Sequence, residues 1–159
     1  MPQNFFDTIN TFFAQPLILA GVSAWFLAQF IKALIAILKY NSKMGKGLLI
    51  TFLWSTGGMP SSHSAVVSAV TTVIGFQEGI TSSLFGVSLF FSLLAIRDAL
   101  GVRRAAGLQA RVLNQIITDL NSKHGTTYKH VKEINGHKAA EVFVGVLLGI
   151  FLGMAFANL

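Results

Sequence analysis

The sequence contains no cysteine and few charged residues. Without thiols, the chain can form no disulfide and can perform no thiolate chemistry. Only 11% of its residues are charged, whereas about 25% is typical of soluble domains. By contrast, 53% of the residues are hydrophobic. This balance predicts a protein that is embedded in a lipid bilayer.

Acidic residues are scarcer than basic ones, which gives a net charge of +6 from 12 Lys and Arg against 6 Asp and Glu. Apart from Lys32, all Lys and Arg lie in residues 39–46 and 97–138. Basic clusters beside apolar segments are typical of cytoplasmic loops near anionic lipid, and nucleic-acid binding is a weak alternative. The positive-inside rule therefore predicts a multi-pass protein of a bacterial plasma membrane or an organelle membrane, with both termini outside.

The apolar segments predict an all-helical integral membrane protein that forms a single domain over residues 1–159. A bilayer core requires about 20 apolar residues per helix, and the chain offers four candidates. The predicted elements are an interfacial helix in residues 1–15, spans at 16–38, 60–77, 82–100 and 137–158, a short re-entrant segment at 48–56, and a cytoplasmic amphipathic helix up to Leu120. This topology brings the start of the second span, the end of the third and the start of the fourth to one membrane face.

The last predicted span carries Gly145, Gly149 and Gly153 at a spacing of four residues. This spacing aligns the three glycines on one helix face, which predicts close packing against another helix. The partner helix belongs either to the same chain or to a second copy in a homodimer.

The stretch 57–65 combines two glycines, a proline, three serines and a histidine ahead of an apolar run. We expect a helix to start at Pro60 or Ser61, where unpaired N–H groups attract an anion. The hydroxyl groups of Ser61 and Ser62 can donate hydrogen bonds to a phosphate, and His63 can exchange a proton near neutral pH. The alternative is an ordinary serine-capped helix with a surface histidine.

His137 and Glu141 are four residues apart at the start of the last predicted span, which places them on one helix face. The carboxylate can fix the tautomer of the imidazole and make its other nitrogen a better nucleophile. The alternative is a histidine near a helix cap beside a solvated glutamate.

Four further residues carry charges that could serve the same site. Arg103 and Arg104 match the oxygens of a phosphate, or they serve only as cytoplasmic anchors. Lys32 either belongs to the site or extends to the lipid headgroups. Asp98 could form an ion pair with Lys32 or a neighbouring arginine, or it could ligate a metal with Glu141.

Three motifs together resemble the divergent membrane branch of the type-2 phosphatidic acid phosphatase and vanadium haloperoxidase superfamily. They are Gly57-Gly58-Met59-Pro60-Ser61-Ser62-His63-Ser64-Ala65, Asp98-Ala99-Leu100-Gly101-Val102-Arg103-Arg104 and Gly136-His137-Lys138-Ala139-Ala140-Glu141-Val142. The resemblance also includes residues 29–32 and covers nearly the whole chain. Departures from the superfamily pattern are Ser62 in place of Gly, Glu141 in place of Asp, a missing Lys-six residues-Arg-Pro motif, and Val131 in place of Arg.

The resemblance implies a phosphatase that works through a phosphohistidine. His63 would be the acid, His137 the nucleophile and Glu141 the orienting carboxylate, while Ser61 and Ser62 would bind phosphate with help from Lys32, Arg103 or Arg104. We therefore expect hydrolysis of a lipid phosphomonoester, such as phosphatidylglycerophosphate, phosphatidate or a polyprenyl phosphate, at the cytoplasmic face without a metal or other cofactor. The alternatives are a lipid or anion transporter and a catalytically inactive membrane scaffold.

Overall fold

A computed structural model describes residues 4–40, 58–133 and 136–159, apart from the side chains of Lys39, Tyr40 and Arg103. These ranges contain six helices and no strand, which confirms the all-helical prediction. The helices are α1 (Phe5–Phe13), α2 (Pro16–Tyr40), α3 (Ser62–Gln77), α4 (Ser83–Leu100), α5 (Val102–His124) and α6 (Ala139–Ala157). The predicted re-entrant segment at 48–56 lies outside the described residues.

Helix α3 lies at the centre of the bundle and packs in parallel against α6. The Cα of Gly145 lies against the carbonyl oxygen of Ser61, and that of Gly149 lies against the carbonyl oxygen of Ala65. A side chain at either position would overlap backbone atoms, so only glycine permits this approach. The predicted close-packing face is therefore occupied within the chain, and any homodimer would have to use another surface.

Helices α2 and α4 run antiparallel to α3 on its other sides. Ala20, Ala24 and Ala28 of α2 are fully buried and face Ala65 and Ala69 of α3. The contact between α3 and α4, in contrast, includes polar side chains.

The hydroxyl groups of Thr71 and Ser92 lie 2.8 Å apart, and that of Ser92 donates to the carbonyl oxygen of Val67 at 3.1 Å. Each buried hydroxyl in this layer therefore has a partner, as the low-dielectric interior requires.

The surface of the bundle is apolar, as expected for contact with lipid. Helix α4 buries Ser92 and Ala99 and exposes Val87, Phe90 and Leu94, each by about two thirds. Within the described ranges, three stretches are long and apolar enough to cross a membrane, namely Pro16–Leu38, Ser83–His124 and Ala139–Ala157. Helix α3 has 16 residues, about 24 Å, which is less than the bilayer core of about 30 Å, so a fourth span stays a prediction.

The arrangement brings the polar helix ends together. The backbone N–H of Ser61, just before α3, donates to the carbonyl oxygen of Glu141 in the first turn of α6 at 2.9 Å. The backbone N–H of His137 donates to the carbonyl oxygen of Ala99 near the end of α4 at 3.3 Å. The starts of α3 and α6 and the end of α4 therefore meet at one level, as the topology predicted.

We expect the Gly149→Ala substitution to lower the melting temperature of the purified protein, because the new methyl group would overlap the carbonyl oxygen of Ala65. Overpacking of this kind costs about 1–3 kcal/mol. The control is Gly86→Ala in α4, where the new methyl group meets no atom within 4 Å. Equal melting temperatures by circular dichroism in detergent would contradict the proposed role of the glycine face.

Candidate functional site

Helix α3 begins at Ser62, one or two residues later than the predicted start at Pro60 or Ser61. Ser61 precedes the helix as its N-cap. The hydroxyl oxygen of Ser61 accepts hydrogen bonds from the backbone N–H of Ser64 at 3.4 Å and from the hydroxyl of Ser64 at 3.1 Å. Because Ser61 is fully buried and its own N–H is bonded to Glu141, its described contacts are those of a structural cap.

Lys32 is directed into the bundle and does not extend to the surface. Its side chain is 7% exposed, and its Nζ donates to the hydroxyl oxygen of Ser62 at 3.2 Å. The carboxylate of Glu141 interacts electrostatically with the same ammonium group. A buried charge needs such partners to offset its desolvation. Lys32 therefore belongs to the group of polar residues at the start of α3.

His137 lies ahead of α6, which begins at Ala139 instead of His137. The predicted helical spacing between His137 and Glu141 is therefore wrong, although the predicted contact is present. The Nδ1 atom of His137 lies 3.1 Å from Oε2 of Glu141. Since an ionised carboxylate only accepts hydrogen bonds, the proton of the neutral imidazole lies on Nδ1, and Nε2 keeps its lone pair.

Glu141 also serves as the cap of α6. The N-cap residue, Lys138, has no side-chain acceptor, and its backbone N–H donates to Oε2 of Glu141 at 3.2 Å. A glutamate in the third helical position commonly reaches back in this way. One carboxylate thus holds both the helix start and the histidine ring.

Residues 125–133, which we call the return segment, run back along α5 toward His137. The side-chain amide of Asn114 pairs with both backbone polar groups of Val131, at 2.8 and 3.0 Å. Asn121 pairs in the same manner with both backbone groups of Tyr128, each at 2.9 Å. These bonds fix the course of the chain before it reaches the site.

The chain then passes very close to α5 at Gly136. A Cβ atom there would meet the backbone N of Arg104 at 2.5 Å. The small size of Gly136 therefore lets the adjoining His137 reach the end of α4, where its backbone N–H bonds to Ala99. His137 is 5% exposed as a result.

Both histidines line one small cavity. This cavity of about 70 Å³ is bounded by His63, Ala95, Asp98, Ala99 and His137. His63 lies in the first turn of α3 and is exposed. The structure therefore brings together two histidines and a carboxylate that lie far apart in the sequence, while Ser61 and Ser62 lie outside the cavity lining.

A second space adjoins His137 and is lined by basic residues. This basic groove has a volume of about 350 Å³ and is bounded by Arg104, Gly107, Leu108, Arg111, Gly136, His137, Lys138 and Ala139. No acidic residue is among its lining residues. The Nε of Arg111 pairs with Glu133 of the return segment at 3.4 Å.

Sequence analysis missed Arg111 and Lys138 as candidates for the site. The spacing of seven residues between Arg104 and Arg111 was a usable signal, because residues two turns apart share a helix face. Lys138 carried no such signal, since it lies outside a helix. The side chain of Arg103, predicted as a phosphate ligand, lies outside the described part of the structure.

Among the residues described, no three His, Asp or Glu side chains form a group that could hold a metal ion. Asp98 lines the cavity with His63 and His137, and Glu141, which does not line this cavity, contacts Nδ1 of His137. The predicted absence of a cofactor stays a prediction, which the chelator experiment below addresses.

Comparison with known proteins agrees with this arrangement of motifs. The sequence model of the family described as "Divergent PAP2 family" matches residues 13–152. The chain belongs to the divergent PAP2 family. A relative from Bacillus subtilis (strain 168), the "Uncharacterized membrane protein YuiD", is 38% identical over 151 residues, which cover 88% of this chain and 92% of the relative. No solved structure matches the chain significantly.

We expect cysteines introduced at His63 and His137 to be joined within one chain by a bifunctional thiol reagent with a short spacer. The chain has no other cysteine, so the product can be read by mass spectrometry after proteolysis. The control pair is His63→Cys with His130→Cys. His130 is bonded to Thr118, about 21 Å along α5 from Arg104 at the helical rise. Equal cross-linking of both pairs would contradict the shared cavity.

Proposed function

We propose that this divergent PAP2 family protein is a phosphatase that transfers the phosphoryl group of a lipid phosphomonoester to His137 and then to water. The observation that carries the proposal is the contact between Nδ1 of His137 and Oε2 of Glu141 at 3.1 Å, with His63 at the same cavity. A carboxylate-bound imidazole with a free lone pair on Nε2 is an activated nucleophile.

In the proposed reaction, Nε2 of His137 attacks phosphorus and the bond from phosphorus to the lipid oxygen breaks. His63, in its protonated form, donates its proton to that oxygen, so the product leaves as an alcohol. Neutral His63 then takes a proton from a water molecule that attacks the phosphohistidine. Inorganic phosphate leaves, and both histidines return to their starting states, so each cycle consumes one lipid phosphomonoester and one water molecule.

A lipid substrate and a cytoplasmic site are part of the same proposal. The cavity and the basic groove lie at the end of an apolar bundle, beside α5 with its exposed apolar residues Leu108, Val112 and Ile116. An amphiphile could reach such a site from the side, along the bilayer. The basic residues of 97–138 favour the cytoplasmic face under the positive-inside rule.

We expect purified protein to release inorganic phosphate from at least one of phosphatidate, phosphatidylglycerophosphate and a polyprenyl phosphate in the presence of a chelator. His63→Ala should lower kcat by about 10²–10⁴-fold, as the loss of a general acid does. His137→Ala should lower it at least as much, because no phosphohistidine can form.

The matched control is His130→Ala, which removes an exposed histidine of the return segment and should leave kcat unchanged. Wild-type protein that releases no phosphate from any of the lipids would refute the phosphatase proposal. Activity that disappears only with the chelator would replace the proposed mechanism with a metal-dependent one.

We expect Glu141→Gln to lower kcat by about 10²–10⁴-fold, since the neutral amide no longer favours the reactive tautomer or a positive imidazole. The cap of α6 should remain, because glutamine also caps helices from this position, but the melting temperature should fall because the buried Lys32 loses its charged partner. Glu78→Gln, an exposed change at the far end of α3, is the control. Unchanged kcat in Glu141→Gln would show that the carboxylate acts only as a helix cap.

A further inference from the structure

The basic groove beside His137 has no role in the proton transfers of the proposed reaction. Arg104 lies in the first turn of α5, Arg111 lies two turns later on the same face, and Lys138 occupies the N-cap position of α6. Glu133 contacts Arg111 at 3.4 Å, whereas no acidic residue lines the groove beside Arg104 and Lys138. An anion bound in the groove would therefore reduce the repulsion among these positive charges. Among the described basic side chains of this region, Lys123, Lys129 and Lys132 do not line the groove.

The close approach of Gly136 to Arg104 creates this concentration of charge. It brings the chain before α6 onto the start of α5, so that Lys138 and Arg104 line the same space. Plain anchoring to anionic lipid would require neither this backbone contact nor a shared groove. His137 lines the groove as well as the cavity, so these cations share a space with the proposed nucleophile.

We propose that the basic groove is the phosphate-binding site, with Arg104, Arg111 and Lys138 as its cationic ligands; this assignment rests on the proposed function. These residues take the place of the basic residues that the superfamily pattern supplies and this chain lacks. Ser61 and Ser62, in contrast, already bond to Ser64 and Lys32. The phosphorus atom lies at the mouth of the groove beside His137, and its oxygens face the three cations.

The ligand is the phosphate of a lipid. Leu108 lines the groove and continues into the exposed apolar face of α5 with Val112 and Ile116. A phosphate in the groove therefore has an apolar surface next to it that can pack against an acyl chain. Inorganic phosphate would use the cations alone.

Measurements of binding test the assignment of the groove independently of turnover. Inorganic phosphate is titrated into wild-type protein in neutral detergent by calorimetry, and dioleoyl phosphatidate is titrated into the His137→Ala variant, which cannot form the phosphohistidine. We expect Lys138→Gln to raise the Kd for both probes about tenfold, as loss of one charge-assisted hydrogen bond does. Lys132→Gln, which removes an equal charge from the return segment, should change either Kd less than twofold.

A second substitution distinguishes binding of a lipid phosphate from binding of free phosphate. Leu108→Asn should weaken binding of phosphatidate severalfold and leave the Kd for inorganic phosphate unchanged. If Leu108→Asn leaves the Kd for phosphatidate unchanged, the assignment of a lipid ligand is wrong. If Lys138→Gln and Lys132→Gln change the Kd values equally, the groove is not the phosphate-binding site. If the groove binds phosphate and phosphatidate as expected but wild-type protein hydrolyses no lipid, the phosphatase proposal is wrong and the assignment of the binding site is retained.

Discussion

The contact between the backbones of α3 and α6 sets the position of everything at the polar end of the bundle. Glycines at 145, 149 and 153 let α6 lie directly against carbonyl oxygens and side chains of α3. This packing also fixes the relative register of the two helices. In that register, the N–H of Ser61 meets the carbonyl oxygen of Glu141, so the first turns of both helices lie side by side. The histidines that precede or begin these helices are brought together as a consequence.

Glu141 connects this packing to the chemistry of the site. Its backbone oxygen bonds to Ser61, and its carboxylate holds His137 and caps α6 through Lys138. A glutamate in the third position of a helix has the length to reach back to the residues before it. An aspartate, one methylene shorter, would reach less far. The replacement of the superfamily's aspartate by glutamate is therefore consistent with a histidine that lies just outside the helix.

Composition and spacing could predict the helices, the close-packing glycines and the meeting of helix ends. These properties depend on local periodicity and on the alternation of charged and apolar segments, both of which are present in the sequence. The partner of the glycine face could not be predicted, because the same spacing serves contacts within a chain and between chains. The structure resolves this ambiguity, since Gly145 and Gly149 already lie against α3.

The details of the site depended on tertiary contacts that no spacing records. His137 was expected within α6, yet its N–H bonds to Ala99 of another helix, which keeps the chain extended until Lys138. Ser61 and Ser62 were expected to face a phosphate, but a hydroxyl can equally cap a helix or accept a bond from Lys32. Lys138 could not be identified because its place in the groove depends on the approach of Gly136 to Arg104.

The charges around His137 divide into two sides. Asp98 and His63 line the cavity on one side, and the basic groove with Arg104 and Lys138 lies on the other. In phosphoryl transfer, negative charge spreads over the three oxygens that stay on phosphorus, while the leaving oxygen requires a proton. In the proposed reaction, cations on the groove side stabilise the first group of oxygens. On the cavity side, His63 would supply the proton that the leaving oxygen needs, and Asp98 lines the same cavity. In an in-line transfer the leaving oxygen lies on the far side of phosphorus from Nε2 of His137. The proposed reaction therefore requires the phosphoryl group to lie where the two spaces meet at His137, with its three remaining oxygens toward the groove and its leaving oxygen within reach of His63.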